Sequence, residues 1–468
     1  MSLVYAVPEY VSKHKDDLAK TPPGHRFLLY FQACGAAWSD LKDSKYVALK
    51  NITTKGTFEE KFAHNLAKRQ RAAATTDSHL MVCAKNTAPI ATGLGNPHPV
   101  ENGFAFLSPY GIPYLAGSSV KGVVRRAAEE LALLVPDSGW TIPLVWVLFG
   151  FDEKSAYIDP INKAEPEPLQ GERERMRTAF ADWINSSATS DKLLAEWLCI
   201  IRSQFPKDKQ ELADNSALFC TAVQDERGRE VRCSIHWQGT VNFWDVFPET
   251  TNGLAVDILN PHHKNYYEGK STPNDAETPK PVFFLTIPPE SPCTFICEMP
   301  IVTVEKRRKV LDAVGDWKTL MTKAYEHAFN WLGFGAKTSV GYGALERDSE
   351  AERRVMEEAD RRDRESEDAR MKEAETKKEY ERLAAMSPLD RSIEEVLKND
   401  PDPNKKPWMK LLDALKSSHW SGEEVRLVAA LIRDRMKTEG EWRENPDPVK
   451  AKKDKAVKRT LEVMKYTE

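Results

Sequence analysis

The stretch GFGAKTSVGYG, residues 333–343, places four glycines around a single lysine, Lys337. A Walker loop requires glycine directly before its lysine, but Ala336 stands there. A dinucleotide fingerprint follows a strand and opens a helix. Here the preceding residues 310–328 carry apolar side chains at intervals of three or four, which predicts a helix that ends at Gly333 as its C-cap glycine. The loop therefore follows a helix and precedes a short strand-like run. A loop that binds a mononucleotide for catalysis has the reverse order, with the strand before it and the helix after it.

Composition limits the kinds of protein to consider. The 468 residues include 67 Lys and Arg against 71 Asp and Glu, a net charge of −4, so any nucleic-acid surface must be a local patch. Seven cysteines without a repeating spacing do not predict a disulfide framework. The first residues do not predict an N-terminal signal, and the longest apolar run, 142–151, is too short to predict a membrane span. We expect a cytoplasmic protein without membrane contact.

The first 346 residues read as one globular α+β domain. Strands are predicted at 27–31, 80–84, 240–244 and 282–287, and helices at 119–134 and 306–332. The run CTFICEM, 293–299, predicts a further strand with Cys293 and Cys297 as buried thiols. Because the strands are widely separated with helices between them, the domain is expected to carry long insertions.

The composition changes at about residue 346. Residues 349–386 are rich in charge and contain neither Gly nor Pro, which predicts a long exposed helix, and we define 347–387 as a charged helical linker. Apolar spacing returns beyond it, so residues 388–468 are predicted to form an all-α appendage with its own core. The basic final stretch, 448–468, could contact RNA or simply keep the chain soluble.

A second glycine–lysine motif, YLAGSSVKGVVRRAAEELALLV, lies at 114–135. Its apolar spacing predicts a helix with Ser118 or Ser119 as N-cap. Lys121 and Arg125, four residues apart, would share a face near the positive end of this helix, where free N–H groups attract a phosphate. The loop 333–343 offers similar chemistry through backbone amides. Two such sites indicate a strand of phosphates rather than one nucleotide.

Three motifs in order carry a family resemblance: TGLGNPHPVENGFAF…YGIPYLAGSSVKGVVRRA (92–106 and 110–127), VDILNPHHKNYYEGKS (256–271) and the glycine loop. They resemble the RAMP superfamily and, within it, the sixth subunits of Cmr complexes, the type III-B CRISPR effectors of antiviral defence. The resemblance covers about residues 20–345 and leaves the C-terminal region unexplained.

The resemblance implies a ferredoxin-like, RRM-derived core that binds crRNA near its 3′ end, with the glycine loop running along the RNA backbone. It also implies contacts with the repeated backbone subunit and the first Cmr subunit, and with target RNA only indirectly. Target cleavage belongs to the backbone subunit in this family, so we expect neither an enzyme nor a cofactor. The residues predicted to contact RNA are Gly117, Ser118, Ser119, Lys121, Gly122, Arg125, Gly333, Gly335, Lys337, Thr338, Ser339 and Gly341, with His98 from the loop 96–99. The aromatic segment 257–269 could stack bases.

Three alternatives remain open. His64, in the basic stretch 55–71, with Asp77 and His79 nearby in sequence, could act as the general base of an endoribonuclease. A protein-only scaffold would bind no RNA and would show no salt-dependent RNA affinity. A metal site from His98, His262 and His263 is disfavoured, because adjacent histidines point apart in a strand and no Cys or acid joins them at ligand spacing.

Overall fold

The centre of the fold is a four-stranded sheet with strand order β10-β3-β9-β6 and antiparallel neighbours throughout. These strands are β3 (His79–Asn86), β6 (Asn242–Phe243), β9 (Pro292–Glu298) and β10 (Leu345–Arg347). Helix α6 (Gly117–Leu134) joins β3 to β6, and helix α13 (Trp317–His327) precedes β10. The resulting βαββαβ order is ferredoxin-like. The predicted α+β class and ferredoxin-like core are confirmed.

The computed structural model describes residues 3–4, 7–32, 34–35, 45–53, 59–74, 77–99, 101–160, 166–225, 228–250, 253–259, 272, 281–300 and 305–467. The chain divides into two compact units, Met1–Asp360 and Arg361–Glu468. The remaining strands are β1 (Leu3–Val4), β2 (Cys34–Gly35), β4 (Phe106–Leu107), β5 (Ile112–Pro113), β7 (Ala255–Leu259) and β8 (Val282–Thr286). Strands β1 and β2, β4 and β5, and β7 and β8 form three separate antiparallel pairs.

The other helices of the first unit are α1 (Glu9–Ser12), α2 (Lys15–Leu18), α3 (Pro23–Leu28), α4 (Lys45–Thr53), α5 (Glu59–Ala73), α7 (Ile142–Phe149), α8 (Glu167–Trp183), α9 (Lys192–Ile201), α10 (Ser216–Gln224), α11 (Arg229–Ser234) and α12 (Glu305–Asp312). Shorter 3₁₀ turns lie at Arg202–Gln204, Lys207–Asp214 and Thr338–Val340, and π-helical turns at Ile184–Ala188 and Ala328–Leu332. Helices α7–α11 and the β7–β8 pair are the predicted long insertions into the core.

An aromatic cluster positions the glycine loop against the sheet. Phe295 of β9 contacts Tyr325, Phe329 and Phe334, with ring centroids 5.0–5.6 Å apart. Aromatic pairs in these tilted arrangements stabilise beyond the area they bury. Phe334 belongs to the loop itself, so the loop is anchored in the core at its start. The neighbouring thiols Cys293 and Cys297 are buried as predicted, and burial raises the pKa of each to about 12.

Two predicted elements differ in the structure. Residues 27–31 are not a strand: Pro22 and Pro23 start α3, which takes in Phe27 and Leu28, as proline favours the first helical turn. The predicted helix 306–332 is broken after α12, because Gly315 has a φ of 71° and the Asp316 side chain caps the next helix by accepting from Thr319 N. The apolar run 142–151 is largely α7, whose eight residues are all buried.

The C-terminal region is all-α, as predicted. Helix α14 (Ser349–Ala385) is almost wholly exposed, and it begins in the first unit and runs into the second. Helices α15 (Pro388–Asn399), α16 (Pro407–Lys416), α17 (Glu423–Thr438) and α18 (Lys455–Met464), with a 3₁₀ turn at Pro448–Lys452, follow. They enclose a core around Trp408, Leu411 and Ile432. In the described part of the chain, no helix combines the length and apolar content needed to cross a bilayer.

The first turn of α14 is bonded to the sheet, which bears on where the core domain ends. Glu352 Oε1 accepts from the backbone N of Cys83 at 3.0 Å, and Glu352 Oε2 lies 2.8 Å from Arg347 Nη2. We expect a chain truncated after Asp360 to fold, whereas one truncated after Arg347 should lose roughly 1–3 kcal/mol, because the Cys83 N–H and Arg347 lose a charged partner. Urea unfolding of the two truncated chains would measure the difference, and equal midpoints would place the domain end at 346.

Candidate nucleic-acid interface

The inner side of the glycine loop is held by backbone hydrogen bonds. Ala336 N donates to Ala91 O at 2.6 Å and Gly343 N donates to Pro89 O at 2.9 Å. A Cβ on Gly335 would lie 2.3 Å from Ala91 O, and one on Gly343 would lie 2.1 Å from Phe334 O. Both glycines also have positive φ, 102° and 75°. The fold itself therefore requires these two glycines, and they are not evidence of a bound phosphate.

The outer side of the loop is accessible and polar. Lys337 adopts the left-handed conformation with φ 63°, and a 3₁₀ turn from Thr338 to Val340 follows. Ser339, Val340 and Gly341 are exposed, and a Cβ on Gly341 would have no neighbour within 4 Å. Lys337 Nζ lies 5.3 Å from the ring centroid of Phe284. This rim offers hydroxyls, a cation and open backbone to a ligand.

Trp331 is a functional candidate that the sequence did not reveal. Its side chain is 78% exposed, immediately before the loop. In an uninterrupted helix its spacing from Met321, Ala324 and Ala328 would place it on the buried face. The π-helical turn Ala328–Leu332 changes that phase, and such turns are frequent at functional sites. An exposed indole beside a polar rim suits base stacking.

The start of α6 differs from the prediction. The helix begins at Gly117 with Ala116 at the N-cap position and no side-chain cap, so the predicted Ser118 or Ser119 cap is wrong. Gly117 N donates to Asp245 Oδ1 at 2.7 Å. A Cβ on Gly117 would lie 2.2 Å from Phe243 O, which explains the glycine. A carboxylate of the chain itself thus takes the N–H that was predicted to bind phosphate.

One face of the first two turns of α6 is accessible to solvent. Ser118, Ser119 and Gly122 are exposed and neighbour one another at helical spacing. A Cβ on Gly122 would meet no atom within 4 Å, so packing does not require glycine there. Lys121 lies beside them half-buried, and burial, reinforced by Arg125, lowers the pKa of its amine. A helical glycine that packing does not need permits close approach of a ligand backbone.

Two residues predicted to contact RNA, Arg125 and His98, have partners within the fold. Arg125 donates from Nε to Glu129 Oε1 and from Nη2 to Ser155 Oγ, both at 2.9 Å, and its side chain is only 14% exposed. His98 stacks on Phe27 with ring centroids 3.6 Å apart, and its Nε2 lies 2.9 Å from Phe27 O. Burial lowers the pKa of His98, which favours the neutral ring. These internal contacts compete with RNA for both side chains, and contact of either residue with RNA stays a prediction.

The two glycine–lysine motifs belong to opposite edges of the same sheet. The loop leads into β10, whereas the start of α6 abuts the segment that continues β6. With strands about 4.8 Å apart, three spacings separate these edges by about 14 Å. A single extended strand of nucleic acid touching both motifs stays a prediction.

The two described histidines considered for catalysis, His64 and His79, have different partners. His64 Nδ1 lies 3.0 Å from Glu249 Oε2, and Arg71 also donates to Glu249, at 3.3 Å. His79 Nδ1 lies 3.0 Å from Ser78 Oγ.

Within the described ranges no three His, Cys, Asp or Glu residues are placed to hold a metal ion. His262, His263 and most of the aromatic segment, residues 260–269, lie outside the described residues.

Comparisons with known proteins define the class. Residues 84–346 match the model of the RAMP superfamily, and the chain belongs to that superfamily. It is similar to Cmr6 of Pyrococcus furiosus, a CRISPR system Cmr subunit, with 26% identity over 275 residues. That match covers 56% of this chain and 66% of the relative, so the chain spans slightly less than two thirds of the relative's length.

Two solved structures are also similar to the chain. The crystal structure of Cmr6 from Pyrococcus furiosus matches with 23% identity and a TM-score of 0.25, covering 58% of this chain and 98% of that one. A cryo-EM structure of the type III-B Cmr-beta complex bound to cognate target RNA matches with 17% identity and a TM-score of 0.32, covering 66% and 71%.

Proposed function

We propose that this chain is a non-catalytic, crRNA-binding subunit that caps a type III-B CRISPR effector complex near the 3′ end of the guide. The similarity to a Cmr subunit supports the assembly. The observation that carries RNA binding is the outer rim of the loop, where Lys337, Ser339 and open backbone at Gly341 lie beside exposed Trp331.

The rim would bind RNA without reading its sequence. Lys337 neutralises phosphate charge, and the loop amides and hydroxyls contact phosphate and ribose oxygens, which position a strand but do not discriminate bases. Trp331 supplies a π-face on which any base can stack. The Ser118–Gly122 face of α6, with Lys121, provides a second phosphate contact on the same strand.

The protein partners in this proposal are the repeated backbone subunit and the first Cmr subunit, with target RNA reached through the guide. Helices α3 and α4 pack together. Large apolar side chains there support a protein interface, because Leu28 at the end of α3, Leu29 at its C-cap and Val47 of α4 are each more than half exposed. Clustered exposed apolar residues often mark protein-binding surfaces.

The His64–Glu249 pair is the observation that would favour an endoribonuclease, since a carboxylate can orient a histidine general base. The same contacts have a structural purpose. Glu249 is shared with Arg71, and Gln70 Nε2 donates to Asp245 O at 2.8 Å, so together they fasten α5 to the segment after β6. We therefore assign the pair to packing.

Filter binding and cleavage assays with end-labelled guide RNA test the proposal. We expect affinity to fall with salt by a slope of about 0.7 per phosphate contacted, equally for unrelated guides, and the RNA to stay intact. Failure to retain RNA at any salt concentration would support a protein-only scaffold instead. Reproducible cleavage that disappears on His64→Ala would overturn the non-catalytic assignment.

A further inference from the structure

The lysines that follow α14 differ in whether they form ion pairs. From α15 to the end of α17, five lysines form ion pairs within 4.0 Å of a carboxylate: Lys398, Lys405, Lys406, Lys416 and Lys437. Lys410, in the same stretch, donates to the backbone carbonyl Asp400 O at 3.5 Å, so each lysine from α15 to the end of α17 has a partner within the unit.

Six later lysines differ, and we call them the tail lysines: Lys450, Lys452, Lys453, Lys455, Lys458 and Lys465. Among the described residues none of them has a carboxylate within 4.0 Å, and all six are exposed. The acid between them, Asp454, caps α18 by accepting from Ala456 N at 2.8 Å and Val457 N at 3.4 Å. The six cations are thus close together in sequence and, within the described part of the chain, are not ion-paired.

The fold brings these charges close together in space. The turn Pro448–Lys452 packs against α18. Lys455 and Lys458 share one side of that helix at helical spacing, and Lys465 is the residue at its C-cap. The opposite side of α18 is buried through Ala456, Val457 and Val463. Two depressions, of about 350 and 500 Å³, adjoin at Lys458 and Glu462.

We propose that the tail lysines form a further nucleic-acid contact, which binds the phosphate backbone of an RNA strand independently of the glycine loop and of α6. Clustered lysines act as point charges for phosphates, and each contact gains free energy from released counterions. An acidic protein partner fits less well, since Lys is depleted in protein interfaces, which depend on aromatic and apolar anchors. Among the described residues of this segment, Val449 is the one large apolar side chain that is strongly exposed.

A membrane surface also fits poorly. A helix that lies in a bilayer interface must insert its apolar face. The apolar face of α18 is committed to the core of its own unit, where Val463 packs with Trp408 and Ile432. A polyanion that binds from outside, without insertion, is the ligand that the surface can accept.

The test uses the full-length chain and a 30-nucleotide poly-U RNA unrelated to any guide. The tail variant carries Lys452→Gln, Lys453→Gln and Lys458→Gln. The matched control removes the same charge from the mixed-charge helix α14 through Lys372→Gln, Lys377→Gln and Lys378→Gln, all exposed. We expect the tail variant to flatten the salt slope by about 2 units, since each single-stranded phosphate contact contributes about 0.7. The control should retain the slope, and both variants should keep the wild-type melting temperature.

The outcomes separate this proposal from the function proposed above. Lys337→Ala should leave the tail contribution to the slope in place, and the tail variant should leave the loop contribution in place. An unchanged slope in the tail variant overturns the tail-lysine contact, whatever the effect of Lys337→Ala. Competition by poly-glutamate as effective as that by poly-U would point to an acidic protein and also overturn it. Equal binding of poly-dT would show that the surface reads phosphates alone, as proposed.

Discussion

Trp331→Ala is expected to weaken guide-RNA binding by about 5- to 150-fold, because one stacked base contributes roughly 1–3 kcal/mol. The side chain is 78% exposed, so its removal should leave the melting temperature unchanged. Fluorescence anisotropy with labelled guide RNA measures the loss. Trp331→Phe should recover most of the affinity, since an aromatic face is restored.

Val340→Ala is the matched control for Trp331→Ala. Val340 is 66% exposed on the same loop but has no π-face, so we expect wild-type affinity. If Trp331→Ala binds RNA as tightly as wild type while the complex still assembles, the indole does not stack on RNA. If Trp331→Ala instead blocks assembly with intact RNA affinity, Trp331 belongs to a protein interface.

Substitutions of Lys121, Lys337 and Gly122 test the phosphate contacts of both glycine–lysine motifs. Lys121→Ala and Lys337→Ala should each flatten the salt slope by about 0.7 for any guide, as expected for lost phosphate contacts.

Gly122→Ala should stabilise α6 by roughly 0.5–1 kcal/mol, because alanine is the better helix former. The same change should weaken RNA binding if a ligand backbone approaches there. Greater stability with unchanged affinity would remove α6 from the interface.

Gly335→Val is expected to destabilise the first unit by about 3 kcal/mol or more, through backbone strain and a steric clash. Gly335 has φ 102°, which a β-branched residue rarely adopts. A Cβ there would lie 2.3 Å from Ala91 O, in the backbone that holds the loop to the sheet. The midpoint of urea unfolding should fall sharply.

Gly341→Ala is the control for Gly335→Val. Gly341 has a similar φ, 95°, but a Cβ there would meet no atom within 4 Å. Only the conformational cost remains, roughly 1–2 kcal/mol. Equal stability of the two variants would contradict the close approach of Gly335 to Ala91. Any loss of RNA affinity in Gly335→Val should therefore be attributed to the fold before it is attributed to a lost contact.

The sequence by itself determined the elements whose signals are local. The spacing of apolar residues predicted α6, β3 and β8, and the glycine after a periodic run predicted the end of a helix at Gly333. The uninterrupted charged stretch predicted α14. These signals survive because helix and strand periodicity and helix termination depend on neighbours within a few residues.

The tertiary structure decided which of the candidate residues face solvent. The Arg125 side chain points inward because it donates hydrogen bonds to Glu129 and Ser155. The His98 ring points inward because it stacks on the ring of Phe27, 71 residues away in the chain, and contacts the backbone carbonyl of Phe27. Trp331 turns outward because a π-helical turn alters the phase of the helix. The burial and exposure of these side chains depend on partners distant in the chain and on a local departure from helical geometry. Residue spacing encodes neither, so the elements could be predicted from the sequence, but the surface they present could not.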